Sequence, residues 1–163
     1  IITLGKSIGN GHPLSMVITN KKIADRFNNG MEYFNSFGGN PVSCAIGHEV
    51  LNVIKEERLQ QNAHKVGTLL KKMLTELKHR HSIIGDVRGS GMFLGVELIK
   101  NKKTLDPEEN KTHYVINQMK KKGILLSADG PDLNVIKIKP PLVFNENNAT
   151  FLVETMDLIL KKL

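Results

Sequence analysis

The sequence predicts an α+β arrangement, a small antiparallel sheet with helices before, between and after its strands. Leu59, Ala63, Val66, Leu70, Met73 and Leu77 recur in steps of four and three, the spacing of an amphipathic helix. The period changes after that helix: residues 83–91 and 92–98 read as two strands meeting at a glycine-rich bend, Gly89-Ser90-Gly91. Residues 124–127 and 134–139 supply two more strands, joined by the turn Asp129-Gly130-Pro131-Asp132.

Taken in order, the β-branched run Ile1-Ile2-Thr3 leads into Lys6, with Gly5, Gly9 and Gly11 around it. This reads as a short strand ending in a tight loop. Residues 14–19 form a second strand candidate, and Asn20 can cap a short helix over 21–28. Residues 31–39 are a loop dense in small and aromatic residues. Asn40-Pro41 then offers an N-cap and a first helical position. That helix is expected to reach Glu56 with Val42, Ile46, Val50, Val53 and Ile54 on one face, and Cys44 as a buried small hydrophobe. The next begins near Arg58 and ends at Arg80 and His81, which complement its dipole. A helix over 112–122 turns Val115, Ile116 and Met119 inward and stops at Gly123. Asn147 or Asn148 opens a terminal helix whose apolar positions are Phe151, Leu152, Met156, Ile159 and Leu160.

The bulk numbers narrow the function classes. At 163 residues, 40% hydrophobic, the chain can bury one real core. No apolar run approaches a membrane span, and the start lacks the basic-then-apolar pattern of a signal peptide. It also lacks an initiator Met and begins in mid-strand, which suggests a truncated chain. A single cysteine excludes a disulfide framework and a thiolate metal cluster, and it fits a reducing compartment. The net charge of +7 admits an anionic partner, but the lysines are spread along helices, and two Tyr with no Trp give little for base stacking. No nucleic-acid partner and no membrane partner is expected.

Lys6 is the one residue with a chemistry to decide. Gly5-Lys6-Ser7 has the ending of a phosphate-binding P-loop, but that motif needs a helix starting at the lysine. Gly9, Gly11 and Pro13 forbid one. What is left is a surface lysine after a strand, or a lysine that bonds covalently to a carbonyl cofactor and later shuttles a proton.

Four stretches in order decide between these by resemblance. They are Thr3-Leu4-Gly5-Lys6-Ser7-Ile8-Gly9-Asn10-Gly11-His12-Pro13-Leu14, Tyr33-Phe34-Asn35-Ser36-Phe37-Gly38-Gly39-Asn40-Pro41, Val87-Arg88-Gly89-Ser90-Gly91-Met92-Phe93-Leu94-Gly95-Val96-Glu97, and Leu125-Leu126-Ser127-Ala128-Asp129-Gly130-Pro131 followed by Val135-Ile136-Lys137-Ile138-Lys139-Pro140-Pro141. Together they resemble the class III (ω-) aminotransferases, most of all the branch that holds the ethanolamine-phosphate and phosphohydroxylysine phospho-lyases. The resemblance covers essentially the whole chain. It implies an α/β fold-type I enzyme fragment, with residues 1–57 the end of a large cofactor domain and 58–163 a small C-terminal α+β domain. It implies pyridoxal 5'-phosphate as cofactor, bound covalently by Lys6, the catalytic residue. Ser36 stands where the family usually has Thr, and its hydroxyl is implied to reach the cofactor phosphate of a partner subunit.

The family commonly has an arginine at Lys137, forked for a substrate carboxylate. Lysine is a point charge, so Lys137, with Lys139, suits a substrate phosphate instead. Reading the residues alone, one of these two can simply face solvent. Arg88 is expected to hold its hairpin, and His12 and His113 to be loop and surface residues. The resemblance implies elimination of phosphate from a phosphorylated amine or amino acid, such as phosphoethanolamine. An ω-aminotransferase and a non-catalytic basic binding module are the alternatives. It further implies a homodimer with a shared active site, a tetramer being the alternative, and a mitochondrial location with cytoplasm as the alternative. The partner acid of the pyridine ring, its stacking aromatic and the main phosphate loop would lie upstream, so these residues alone are expected to bind cofactor poorly.

Overall fold

A computed structural model describes residues 1–163, which divide into two compact units, Ile1–Arg58 and Leu59–Leu163. In the first unit, β1 (Ile2–Leu4) pairs antiparallel with β2 (Met16–Ile18), Thr3 opposite Val17. A 3-10 turn, Lys6–Ile8, follows β1. Helix α1 (Lys21–Phe27) is capped by Asn20, whose side chain accepts from the Ile23 N–H. Helix α2 (Pro41–Glu56) starts as expected, with Asn40 accepting from the Ser43 N–H and Pro41 in the first turn.

The buried face of α2 is not the expected one. Ser43 and Gly47 are its buried residues, while Ile46, Val50 and Ile54 are half-buried and Val42 and Val53 exposed. Small residues face inward because α2 lies tight on the loop after β1: a side chain at Gly47 would meet Leu14 Cδ2 at 2.6 Å. Cys44 is therefore exposed, one position off that stripe, rather than buried.

The second unit has a sheet of four antiparallel strands in the order β3–β4–β6–β5, made of β3 (Ile84–Ser90), β4 (Phe93–Leu98), β5 (Ser127–Asp129) and β6 (Val135–Ile138). The core lies between one face of the sheet and three helices, α3 (Leu59–Arg80), α4 (Glu109–Lys121) and α5 (Glu146–Leu160). Leu94, Val96, Ile136 and Ile138 fill it from the sheet, Leu70, Leu74 and Leu77 from α3, Val115 and Met119 from α4, and Leu152 and Met156 from α5. Leu74, absent from the expected stripe, is completely buried, whereas Met73 is only half-buried.

Two local devices move boundaries away from expectation. Past α4, the Gly123 N–H donates to the Lys120 carbonyl and the Ile124 N–H to the Met119 carbonyl, with Gly123 at φ +80°. This double wrap keeps Ile124 in the helix terminus, so β5 begins at Ser127 rather than 124. Ahead of α5, Asn145 rather than Asn147 or Asn148 is the cap. Its side chain accepts from the Asn148 N–H and the Asn148 side chain from the Asn145 N–H, a reciprocal box. Phe151 falls just outside the buried stripe of α5 and is exposed.

Arg80 and His81 do more than complement the α3 dipole. Arg80 Nη1 lies 3.0 Å and His81 Nε2 2.6 Å from the carboxylate of Asp157 on α5, and Lys161 Nζ lies 2.8 Å from it. Burial alone would raise the Asp157 carboxyl. Hydrogen bonds from Lys161 and His81 and the charges of Arg80 and Lys161 outweigh it and hold the group at about 2 against an ordinary 3.8. A depressed carboxyl contributes stability above its unfolded value and loses it as pH falls towards the folded value. Asp157→Asn is therefore expected to cost up to about 2 kcal/mol at pH 7. Urea denaturation at pH 7, 4 and 2 should show that difference closing between pH 4 and 2.

Candidate active site

In the first unit the site is built from two loops. Lys6 opens the 3-10 turn at φ +48°, and the Gly9 N–H donates back to its carbonyl at 3.2 Å. The left-handed positions here are Lys6, Asn10 and Gly11, while Gly5 is extended and Gly9 right-handed. Gly9 serves close approach instead: a Cβ there would sit 2.1 Å from the His12 carbonyl oxygen. Lys6 is exposed in this arrangement. His12, which follows, shares a hydrogen bond of 2.7 Å between Nε2 and Ser43 Oγ, so it fastens the lysine loop to α2.

Ser36 sits exposed in the loop before α2. Asn35 shapes that loop by accepting from the N–H groups of Phe37 at 3.1 Å and Gly38 at 3.0 Å. Asn40 ties its end to the helix, donating to the Phe37 carbonyl at 2.7 Å and to Ser43 Oγ at 3.0 Å. Between the two loops lies a cavity of about 610 Å³ lined by residues 12–15 and 42–44 and by Asn35, Phe37 and Asn40. Lys6 and Ser36 flank these segments but do not line the cavity.

In the second unit, Lys137 lies on the sheet face turned away from the core. Its Nζ donates to Asp129 Oδ2 at 2.7 Å. That hydrogen bond, the Gly130 N–H and the charges of Lys137 and Lys139 hold the Asp129 carboxyl below its ordinary range. Lys139 follows the end of β6 and is exposed. Arg88 Nη1 donates to Asp86 Oδ2 at 3.0 Å and to Glu97 Oε2, bracing the β3–β4 hairpin, with Lys78 of α3 3.7 Å from Asp86. Of these groups Arg88, Asp129 and Lys137 line a hollow of about 430 Å³ over Gly95, together with Phe93 and Val135.

Asp129 was missed in the sequence, where it reads only as a turn residue. The signal lay in the hairpin register: Asp129 pairs with Val135 and Ser127 with Lys137, which makes Asp129 and Lys137 diagonal neighbours on one face. His113 is a surface residue, 3.8 Å from Glu109 one turn earlier.

The first unit carries groups of the kinds a carbonyl cofactor with an anionic tail needs, on separate loops. It offers an exposed primary amine on a braced turn, an exposed hydroxyl at Ser36, and the start of a sixteen-residue helix just beyond, where an anion is favoured.

Comparison with known proteins gives the family. The family model described as "Aminotransferase class-III" matches residues 1–160. The chain is 48% identical over 163 residues to "Alanine--glyoxylate aminotransferase 2 homolog 2, mitochondrial" of Arabidopsis thaliana, covering all of this chain and 34% of that protein. It is 45% identical over 161 residues to "Ethanolamine-phosphate phospho-lyase homolog 1" of Caenorhabditis elegans, covering 98% of this chain and 34% of that one. Among solved structures, a phospholyase from Arthrobacter in complex with phosphoethanolamine superposes with a TM-score of 0.94 at 38% identity, over 99% of this chain and 38% of that one. The chain thus spans about a third of the length of the relatives it matches.

Proposed function

Since the chain belongs to the class III aminotransferase family, we propose that it is the part of a pyridoxal-phosphate-dependent phospho-lyase that carries the cofactor lysine and the substrate-phosphate residues. Its substrate is a phosphorylated amine such as phosphoethanolamine. The observation that supports this most directly is Lys137. Its ammonium, bonded to Asp129, stands on the outer face of the sheet, and as a lysine it lacks the bidentate fork that a carboxylate substrate would reward. The likeness to a phospholyase structure that holds phosphoethanolamine supports the same reading.

In this reading residues 1–57 close the cofactor domain and 58–163 form the small C-terminal domain. When bound, pyridoxal phosphate supplies an electron sink for the carbon that bears the amine. Lys6 would hold the cofactor through its ε-amine and, as a free amine, would take up the proton from that carbon. Phosphate departs from the neighbouring carbon as the electron pair moves in. Water then yields an aldehyde and ammonia. Ser36 would donate its hydroxyl to the phosphate of a cofactor held by the other subunit of a homodimer. Lys137 orients the substrate phosphate, with Lys139 adding to the local positive charge. A mitochondrial location is supported by the name of the Arabidopsis relative.

The test is incubation of the complete protein with phosphoethanolamine. Phosphate and aldehyde released without any keto acid are the expected products. Turnover that strictly requires a keto acid would instead make the protein an aminotransferase.

A further inference from the structure

The sheet register places the charged groups of the hollow in two rows. One runs Arg88, Gly95, Lys137, Ser127 across the four strands, and the next runs Asp86, Glu97, Val135, Asp129. Residues two apart on a strand share a face, so both rows lie on the outer side, opposite Leu94, Val96, Ile136 and Ile138. Two cations of these rows face three carboxylates; Lys78 on Asp86 and Lys139, whose charge reaches Asp129, stand outside the rows. Within the rows, then, each cation is already met by a carboxylate. An anion that accepts from Lys137 must also lie beside Asp129, whose carboxylate is bonded to the same ammonium.

Resting on the phosphorylated-amine reading above, we propose that Asp129 is a specificity residue. With Lys137 it selects a phosphate monoester that still carries one proton and disfavours a carboxylate. A singly protonated phosphate has both functions the pair asks for: its P–OH donates to Asp129 while another oxygen accepts from Lys137. A carboxylate at neutral pH only accepts, and it meets Asp129 as a like charge. The second proton of a phosphate monoester leaves near pH 6, so the matched form is a falling fraction above that value. The groups that bear on Asp129 are Lys137, Lys139 and the Gly130 N–H; none comes from α4, the other element packed on β5. Farther along the same face stand Glu97, Asp86 and Arg88, the arginine paired with both carboxylates.

The test measures KM and kcat for phosphoethanolamine between pH 6.5 and 8.5 in the complete enzyme, its Asp129→Asn variant and its Asp129→Glu variant. In the unmodified enzyme KM should rise about tenfold per pH unit. In Asp129→Asn, whose amide can donate to a fully ionised phosphate, the rise should shrink to less than about twofold. Asp129→Glu should restore the slope. The carboxylate analogue 3-aminopropanoate should inhibit Asp129→Asn at least about tenfold more tightly than the unmodified enzyme. A flat KM profile in the unmodified enzyme, with phosphate still released, overturns the role of Asp129 and leaves the phospho-lyase reading standing; so does an unchanged slope in Asp129→Asn. No phosphate release from any phosphorylated amine overturns both.

Discussion

Replacing Lys6 with alanine in the complete protein is expected to cut phosphate release from phosphoethanolamine by at least about 10³-fold while the protein stays folded. The loss corresponds to about 4 kcal/mol of barrier, the scale of a positioned proton carrier. Lys6 lends little to the fold: its side chain is exposed and begins a three-residue turn. Alanine at φ +48° inherits the same backbone cost, so stability should move by only a few tenths of a kcal/mol. Borohydride reduction separates the catalytic role from a general disturbance. It should fix the cofactor to a peptide containing Lys6 in the unmodified protein and to no peptide in Lys6→Ala. Lys6→Arg keeps the charge but cannot form the bond, and it should be as inactive as alanine. Activity within about tenfold of normal in either variant would return Lys6 to the surface lysine that its first twelve residues alone also allow.

How far these features were legible in the sequence depended on the range of the interaction behind them. Helix starts driven by local chemistry were readable: Asn20 and Asn40-Pro41 cap their helices where the residue types demand. So was the switch from helical period to strand period after Arg80. Asn145 was missed because its box is reciprocal, and Asn148, the other half of the pair, has the same appearance in a sequence. The face of α2 was misread for a different reason. Apolar spacing points to Val42 and Val53, but inside this chain close approach to Leu14 selects Ser43 and Gly47. Asp129 shows the same limit at the candidate site. Its partner Lys137 could be named from residue type, whereas the pairing depends on which strand residues lie opposite each other.

Gly67 carries the second large effect, because two physical arguments about it disagree in sign. By intrinsic propensity, Gly67→Ala in the middle of α3 should stabilise the helix by about 1 kcal/mol. By contact it should do the opposite. A Cβ at Gly67 would lie 2.2 Å from the Gly91 carbonyl oxygen, 2.4 Å from its carbon and 2.6 Å from its Cα. All three are backbone atoms at the bend between β3 and β4, so no side-chain rotation relieves them. Either α3 or the hairpin must retreat, and Val66 and Leu70, buried beside Gly67, would lose close contact as it does. Overpacking of this kind costs roughly 1–3 kcal/mol and more when backbone must move, so contact should win with a net loss of about 2 kcal/mol. A urea midpoint for Gly67→Ala below that of the unmodified protein, with Thr68→Ala on the exposed side of the same turn nearly unchanged, is the expected pattern. The same retreat reaches the candidate site, because the hairpin that Gly91 turns also carries Arg88 and Gly95, in one row with Lys137. KM for phosphoethanolamine should therefore rise in Gly67→Ala more than kcat falls: β4 of that hairpin pairs with β6, which carries Lys137, whereas Lys6 belongs to the other compact unit.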